Sequence, residues 1–314
     1  MSGKQVFQGA QNFSISGGTF IAADSAREAL SCPLSQANQL LSVQVKYYTT
    51  TGAGDRATSN AAIPVKPNSS IRFTGRTNVL AKLKEHFTAE SNGKLRRRKF
   101  FLLYGMGGIG KTQICLRFIE DMSDCFSHVF WIDASSTDTI TQGLKGICNL
   151  PEAQSSALDG SPQSALWWIS SLGDNYAMVF DNADNLTPEE LEQYFPSGLG
   201  GNILITSRNS GLKHLTLHES SLEVKEMEEH DAISLLLKAA CLDKSQEDLQ
   251  AEASKVVNEL FCIPLAIDQA GAFIAFGDTD IRDYLKEYSR YRERLLSCPA
   301  FQGASTYNRS SSGS

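Results

Sequence analysis

One stretch of the sequence has the glycine spacing of a phosphate-binding loop. Residues 105–112 read Gly-Met-Gly-Gly-Ile-Gly-Lys-Thr and fit the pattern G-x-x-x-x-G-K-[ST]. Glycine suits such a loop because backbone N–H groups wrap a phosphate at dihedral angles and distances that a Cβ would obstruct. We therefore expect this set of residues to contact a nucleotide: Gly105, Gly107, Gly108, Ile109, Gly110, Lys111, Thr112 and Gln113.

The two polar residues that end the loop have separate expected roles. Lys111 would reach the β- and γ-phosphates as a point charge, and Thr112 would offer its hydroxyl group to Mg²⁺. The helix that begins near Lys111 adds the positive end of its dipole. The sequence therefore predicts a Mg²⁺-nucleotide site at this point.

Two further strand ends supply candidate partners for the phosphates and the metal. The apolar run 177–180 is followed by Asp181, which has the form of a Walker B carboxylate. Asn182 stands where many hydrolytic proteins place a second acid, so we expect slow hydrolysis. Arg208 follows another apolar run and presents a fork of donors suited to the γ-phosphate. The predicted catalytic residues are Lys111, Asp181 and Arg208, and the predicted metal ligands are Thr112 and Asp181.

The sequence also bears on which nucleotide base the protein binds, because one guanine-specific motif is missing. Guanine specificity in GTPases usually shows as an N-K-x-D element, and no such string occurs here. We therefore expect the nucleotide to be ATP or ADP, bound with Mg²⁺.

A parallel sheet would bring these residues together. Short apolar runs at 100–104, 129–132, 177–180, 203–205 and 222–224 predict buried parallel strands. Helical patterns at 112–122, 139–147, 163–172 and 188–194 alternate with them, which predicts an α/β fold with helices on both faces of the sheet. After Met227 only helical patterns follow, at 230–241, 247–262, 264–276 and 281–296, and they predict a small helical bundle.

Charge density divides the chain near residue 70. Residues 1–70 carry eight Asp, Glu, Lys or Arg, and the other 244 residues carry 56. Alternating apolar residues between Gln8 and Asp24 fit either a β-pairing segment or a disordered leader. We predict four parts: a low-charge leader and linker (1–70), a nucleotide-binding domain (71–226), a helical domain (227–296) and a flexible tail (297–314).

Composition excludes several classes of protein. The net charge is −6 and the pI is about 5.5, so the basic surplus of a nucleic-acid-binding protein is missing. Seven cysteines without a C-x-x-C pair indicate reduced thiols rather than a zinc site or a disulfide framework. No apolar run approaches the 18 or so residues of a membrane span. We expect a cytoplasmic protein that contacts neither nucleic acid nor membrane.

Beyond these features the sequence resembles the NB-ARC and related STAND signal-transduction ATPases, particularly those of fungal NOD-like receptors. The likeness covers roughly residues 71–296 and rests on five elements: Phe73-Thr74-Gly75-Arg76, the strand 129–133, Phe180-Asp181-Asn182-Ala183-Asp184, Thr206-Ser207-Arg208 and Ile263-Pro264-Leu265-Ala266-Ile267. The resemblance implies that Phe73, Gly75 and Arg76 approach the adenine and ribose and that Pro264 packs on the adenine. It also implies that the Arg208 strand lies between the strands of Lys111 and Asp181.

Some of the family's features are missing from the sequence. The winged-helix subdomain should begin after Leu296, where 18 residues remain, and no repeat array follows, so we expect a truncated receptor. Glu229-His230-Asp231 imitates the family's Met-His-Asp element, but we interpret it as a helix start. Cys262 occupies a position where the family usually has glycine.

Two functions are compatible with these features. The first is an ATP/ADP switch that is at most a slow ATPase, with self-association or association with related receptors as its expected interactions. The second is a nucleotide-binding adaptor or decoy that never cycles and that interacts with full-length receptors.

Overall fold

The computed structural model describes residues 66–89, 98–172, 175–277 and 279–296. The expectations for the leader upstream of residue 66 and for the tail after residue 296 lie outside these described residues. Within them, five strands form one parallel sheet: β1 (Lys99–Tyr104), β2 (Val129–Asp133), β3 (Ala177–Asp181), β4 (Asn202–Ser207) and β5 (Ser221–Glu223).

The strand order places the predicted site residues side by side. The order is β2-β3-β4-β1-β5, so β4 lies between β1 and β3, as the resemblance implied. The register pairs Tyr104 with Ser207 and Asp133 with Asp181 at the carboxyl edge of the sheet. The residues that follow these strands therefore meet at one edge, which is where open α/β sheets bind ligands.

Ten α-helices accompany the sheet in the described part of the chain. Their bounds are α1 (Thr77–Thr88), α2 (Lys111–Asp121), α3 (Thr137–Ile147), α4 (Pro151–Gln154), α5 (Pro162–Ser171), α6 (Pro188–Glu192), α7 (Glu229–Ala239), α8 (Glu247–Glu259), α9 (Pro264–Ala275) and α10 (Ile281–Leu296). The local sequence explains where two of these helices begin. Ser136 and Thr139 form a capping box before α3, and Thr187 and Glu190 form another before α6.

Alternate strand residues face opposite sides of the sheet, and helices cover both sides. Leu102, Phe130 and Phe180 pack with α3, α5 and α6 in one buried cluster. Phe101 and Val179 pack with α1 and α2 in another. Because both faces are buried, the strands read as continuous apolar runs rather than as an alternation. The expected α/β fold with a doubly covered parallel sheet is confirmed.

The helices after residue 228 form their own core. Leu236, Val256, Ile267 and Ile274 are among its buried residues, which come from α7, α8 and α9, and Ile281 adds the start of α10. Gly271 of α9 allows close packing, because a Cβ added there would lie 2.3 Å from Cβ of Ala239 in α7. The bundle that follows the sheet is thus present, and α8 ends three residues before the predicted boundary at Cys262.

Candidate functional site

The predicted phosphate-binding loop connects β1 to α2. Gly105, Gly108 and Gly110 have φ angles of 145°, 76° and 95°, which L side chains rarely adopt. Gly105 also lies against the backbone, since a Cβ there would lie 2.5 Å from the carbonyl oxygen of Val224. Ile109 is 1% exposed and anchors the loop in the core. The loop is therefore shaped by both local backbone and packing.

Lys111 folds back over this loop. Its Nζ donates hydrogen bonds to the carbonyl oxygens of Gly105, at 2.8 Å, and Met106, at 3.0 Å. Burial lowers the pKa of Lys111, while the nearby carboxylate of Asp184 raises it and the guanidinium of Arg208 lowers it further. The ammonium group thus lies at the loop, among other charged groups that face the same space.

Asp181 is held by two hydroxyl groups. Thr112 and Thr206 each donate a hydrogen bond to Oδ1 of Asp181, at 2.8 Å and 2.6 Å. Burial raises the pKa of this carboxyl group, and the two hydrogen bonds act in the opposite direction. The structure therefore brings the predicted metal ligands Thr112 and Asp181 into direct contact and adds Thr206, which sequence reasoning gave no role.

The oxygen donors around Asp181 fit a Mg²⁺ ion. Magnesium prefers hard oxygen ligands and is commonly held by one or two carboxylates together with substrate phosphates. Thr112 supplies a hydroxyl group at the head of α2, and Asp181 supplies a carboxylate at the end of β3. Among the described residues no group of three or more His, Cys, Asp or Glu could hold a metal ion by itself. The donor set thus suits a metal that arrives with a nucleotide.

Arg208 follows β4 and is bound to Asp184. Its backbone N–H donates to Oδ1 of Asp184 at 2.6 Å, and its Nε donates to Oδ2 of the same carboxylate. The side chain lies beside the loop, because a Cβ added to Gly107 would be 3.6 Å from Cδ of Arg208. Arg208 is therefore close to the loop that carries Lys111, and Asp184 is a neighbour that sequence reasoning did not single out.

The segment 66–76 connects the loop to the helical bundle, and we call it the strap. Arg76 donates hydrogen bonds at 3.0 Å to the carbonyl oxygens of Ile109, in the loop, and Glu226, just before α7. Arg72 forms a 3.0 Å ion pair with Asp268 of α9. The strap thus contacts both parts of the protein.

Phe73 and Gly75, the other two strap residues that we expected near the nucleotide, contact other parts of the protein. Phe73 packs against the buried cluster that includes α1 and α2. Gly75 has a φ angle of 68°, and a Cβ there would lie 1.8 Å from Oδ2 of Asp231. The helix-start interpretation of Glu229-His230-Asp231 agrees with the first turn of α7. The contact of Asp231 with the strap has no signal in the local sequence.

Gln113 contacts the strap, and Pro264 lies against the loop. The side-chain oxygen of Gln113 accepts a 2.8 Å hydrogen bond from the backbone N–H of Ser70. Pro264 begins α9, and a Cβ on Gly110 would lie 3.9 Å from its ring. Beside it, the N–H of Leu265 donates to the carbonyl oxygen of Gly108 at 3.2 Å. Gln113 therefore holds the strap, whereas Pro264 and Leu265 place the bundle directly on the loop.

Cys262, just before α9, has a φ angle of 51°. This left-handed conformation is one that glycine adopts without strain. The cysteine thus occupies the backbone conformation that explains a glycine at this position.

A comparison with protein families matches the region of the chain that contains this site. The model of the NB-ARC domain matches residues 76–246, which is more than half of the 314 residues. This match includes the loop, Asp181 and Arg208, and it ends within the helical bundle.

Two curated proteins and one solved structure are similar to the chain. A "Nucleotide-binding leucine-rich repeat (NLR)-like protein" of Hyaloscypha variabilis is 28% identical over 248 residues, which are 72% of this chain and 24% of that protein. "Disease resistance protein RRS1" of Arabidopsis thaliana is 30% identical over 178 residues, 54% of this chain and 12% of that protein. The chain thus spans a quarter or less of these relatives.

The structural comparison concerns the fold alone. Cdc6p of Pyrobaculum aerophilum superposes with a TM-score of 0.51 at 13% identity, covering 73% of each chain. Among the described residues, no helix is both long enough and apolar enough to span a membrane.

Proposed function

The chain belongs to the NB-ARC domain family of STAND P-loop NTPases, and on this premise we propose that it is a signalling switch that binds Mg-ATP and ADP. One observation carries the proposal: Thr112, at the head of α2, donates its hydroxyl hydrogen to Asp181, at the end of β3. The loop residue and the strand-end carboxylate are thereby adjacent, as a shared Mg²⁺ ion requires.

The charged groups around the loop suit a triphosphate. Lys111 and Arg208 would bind phosphate oxygens, and the backbone N–H groups between Gly105 and Gly110 would surround the β-phosphate. Thr112 and Asp181 would hold the Mg²⁺ ion, which neutralises phosphate charge when it is bound. The absence of an N-K-x-D string supports adenine as the base.

Slow hydrolysis follows from the residue after Asp181. A carboxylate at position 182 would accept a proton from an attacking water molecule, but an asparagine amide does so poorly. Asn182 has a φ angle of 67°, and its backbone N–H donates to the hydroxyl oxygen of Thr206 at 2.8 Å. The residue is therefore fixed in place without supplying a general base.

Contacts between the loop and the bundle support a switch rather than a simple binding module. Leu265 at the start of α9 donates to Gly108, and Arg76 of the strap donates to Ile109. A γ-phosphate that moves these loop carbonyls would change both contacts, so the nucleotide state would bias the position of the bundle. The similarity to a protein named as NLR-like supports a role in receptor signalling. In this proposal the protein acts in the cytoplasm and associates with itself or with related receptors.

The proposal is tested by identifying the bound nucleotide and then removing the loop lysine. Protein purified from a cytosolic host is heated, and the released nucleotide is identified by ion-exchange chromatography. Calorimetric titration with Mg-ATP then compares the wild type with Lys111→Ala. A charge-assisted contact contributes about 1.5–3 kcal/mol, so the variant should bind about 10- to 150-fold more weakly.

Lys255→Ala is the matched control, because Lys255 lies exposed on α8 and pairs with Glu252. Its nucleotide affinity should equal that of the wild type. Unchanged affinity of Lys111→Ala would overturn the assignment of the loop. Normal ATP binding with no turnover over many hours would instead identify the non-cycling adaptor.

A further inference from the structure

We propose that Asp184 is a positioning residue that holds Arg208 against the phosphate-binding loop and thereby sets a preference for nucleoside triphosphate over diphosphate. The inference rests on the proposed function of the loop, and it assigns the discrimination between triphosphate and diphosphate to the carboxylate of Asp184. Asp184 itself contacts Arg208 and is not expected to touch the nucleotide.

One carboxylate fixes both the main chain and the side chain of Arg208. Oδ1 of Asp184 accepts the backbone N–H of Arg208 and Oδ2 accepts Nε. The side chain of Asp184 is 6% exposed and that of Arg208 is 61% exposed. A buried carboxylate with charge-assisted hydrogen bonds holds its partner more firmly than a pair that is exposed on both sides.

The turn that carries Asp184 is itself bound to the end of β4. The N–H of Ala183 donates to the carbonyl oxygen of Thr206 at 2.8 Å, and the hydroxyl group of Ser207 donates to the carbonyl oxygen of Ala183 at 2.7 Å. These bonds hold the backbone of Asp184 next to that of Arg208. This gives the carboxylate a fixed position from which to orient the guanidinium.

The anchored side chain leaves its far end beside the loop. Nη1 of Arg208 would lie 3.8 Å from a Cβ placed on Gly107, so the guanidinium lies next to the loop backbone. Within the described part of the chain, Nε of Arg208 donates a side-chain hydrogen bond, whereas its two terminal nitrogens donate none. In this proposal the terminal N–H₂ groups bind a phosphate oxygen that only the triphosphate supplies.

Asp184 also reduces the repulsion between two cations. Lys111 and Arg208 both lie at the loop, and the charge of Asp184 raises the pKa of Lys111 while that of Arg208 lowers it. With the carboxylate removed, the two positive charges would repel each other, and the more exposed Arg208 would turn toward solvent. The geometry and the charges thus support the same role.

Calorimetric titration with Mg-ADP and with the Mg complex of the non-hydrolysable ATP analogue AMP-PNP tests the inference. The variants are Asp184→Asn, Arg208→Ala and the double variant. We expect Asp184→Asn to reduce the ratio of the ADP dissociation constant to the AMP-PNP dissociation constant by about tenfold. Arg208→Ala should reduce the ratio at least as much, and the double variant should lose no more than Arg208→Ala, because both changes remove the same contact.

Asp243→Asn is the control for loss of a turn carboxylate. Asp243 accepts hydrogen bonds from the N–H and hydroxyl groups of Ser245 in the bundle, away from the loop. The ratio of the ADP to the AMP-PNP dissociation constant in this variant should match that of the wild type. A merely structural role of Asp184 would lower the affinity for both nucleotides equally and leave the ratio unchanged, which would overturn the inference, as would additive losses in the double variant.

Arg208→Lys keeps the inference testable if Asp184→Asn does not fold. Lysine keeps the positive charge but carries it on one nitrogen, which cannot pair with Asp184 and reach a phosphate from separate nitrogens as the guanidinium does, so we expect the triphosphate preference to be lost. A retained preference would overturn the positioning role. Failure of the proposed function is distinguishable, because then Lys111→Ala would bind both nucleotides as well as the wild type does.

Discussion

The hydroxyl group of Thr206 lies 2.6 Å from Oδ1 of Asp181 and donates a hydrogen bond to it. The same hydroxyl oxygen accepts the backbone N–H of Asn182 at 2.8 Å. Thr206 is 1% exposed, so water has little access to replace it. This one side chain therefore fixes both the carboxylate at the end of β3 and the turn that follows.

Replacing Thr206 with valine should weaken both stability and metal-dependent binding. Valine has a similar shape but leaves the N–H of Asn182 without its acceptor, which costs about 1–3 kcal/mol. Urea unfolding measures the stability, and calorimetry measures the Mg-ATP affinity. Thr206→Ser keeps the hydroxyl group and should retain the Mg-ATP affinity. Equal affinities of the valine and serine variants would contradict the role of the hydroxyl group.

The affinity for Mg-ATP should fall in mild acid through Asp181. Burial, with a smaller contribution from Asp133, raises the pKa of this carboxyl group above its usual value of 3.8. A raised pKa means that the folded protein holds the proton more readily than the unfolded chain, so this group stabilises the protein at low pH and that stabilisation is lost as pH rises. In the proposed function Mg²⁺ binds the ionised form of Asp181, so a proton on this carboxyl group would compete with the metal.

Calorimetric titration with Mg-ATP at several pH values between about pH 7 and pH 5 measures this competition. Asp181→Asn cannot ionise and should lack that part of the pH dependence, whereas protonation of ATP itself affects both proteins alike. The same pH profile in the wild type and the variant would show that Asp181 does not titrate with the metal.

A methyl group on Gly75 should disturb the strap. Gly75 has a φ angle of 68°, and the added Cβ would lie 1.8 Å from Oδ2 of Asp231. The left-handed conformation alone costs an alanine about 1–2 kcal/mol, and the displaced carboxylate adds to this. Thermal unfolding of Gly75→Ala should therefore show a clear loss of stability.

Gly200→Ala is the matched control, since a Cβ there meets no heavy atom within 4 Å. Its stability should stay within about 0.5 kcal/mol of the wild type. If the two alanine variants are equally stable, the close approach of Asp231 to the strap is wrong.

Phe261→Gly should stabilise the bundle. Phe261 follows α8 with a φ angle of 53°, and its N–H donates to Asn258 while that of Cys262 donates to Val257. This pair of bonds is a Schellman motif, in which glycine is preferred at the position of Phe261. The side chain is 74% exposed, so its removal costs little burial. The expected net gain is about 0.5–1 kcal/mol in urea unfolding.

Phe261→Val provides the opposite comparison, because a β-branched side chain tolerates the left-handed conformation worst. It should be less stable than the wild type. A valine variant that is as stable as the glycine variant would contradict this account of the helix end.

The sequence predicted most of the sheet because its strands are buried on both faces. Runs such as 177–180 are apolar without interruption, and the observed strand Ala177–Asp181 differs by one residue. The edge strand β5 is short and paired on one side only, and it begins one residue earlier than predicted, at Ser221. The helices α1 and α4 were not predicted. In α4, four residues carry too little periodicity to identify a helix.

The site residues that the sequence singled out are those with a local motif. The loop 105–112, Asp181 and Arg208 each stand in a recognisable string, and the parallel order of the strands gathers them at one edge. Thr206 and Asp184 lie inside the quoted strings, but their contacts depend on which strands are neighbours. Asp231 stands in the string Glu229-His230-Asp231, which we interpreted only as a helix start, and its approach to Gly75 depends on how the bundle packs against the strap.

The sequence by itself determined the glycine-rich loop 105–112, the alternation of strands and helices and the helical nature of the region after residue 228. These follow from local patterns, since glycine spacing and apolar periodicity act over a few residues. The tertiary structure decided that two threonines from distant positions share one oxygen of Asp181, that Asp184 binds Arg208, and that the strap and α9 both touch the loop. Such contacts join residues far apart in the chain, and they form only when strand order and helix packing bring those residues together.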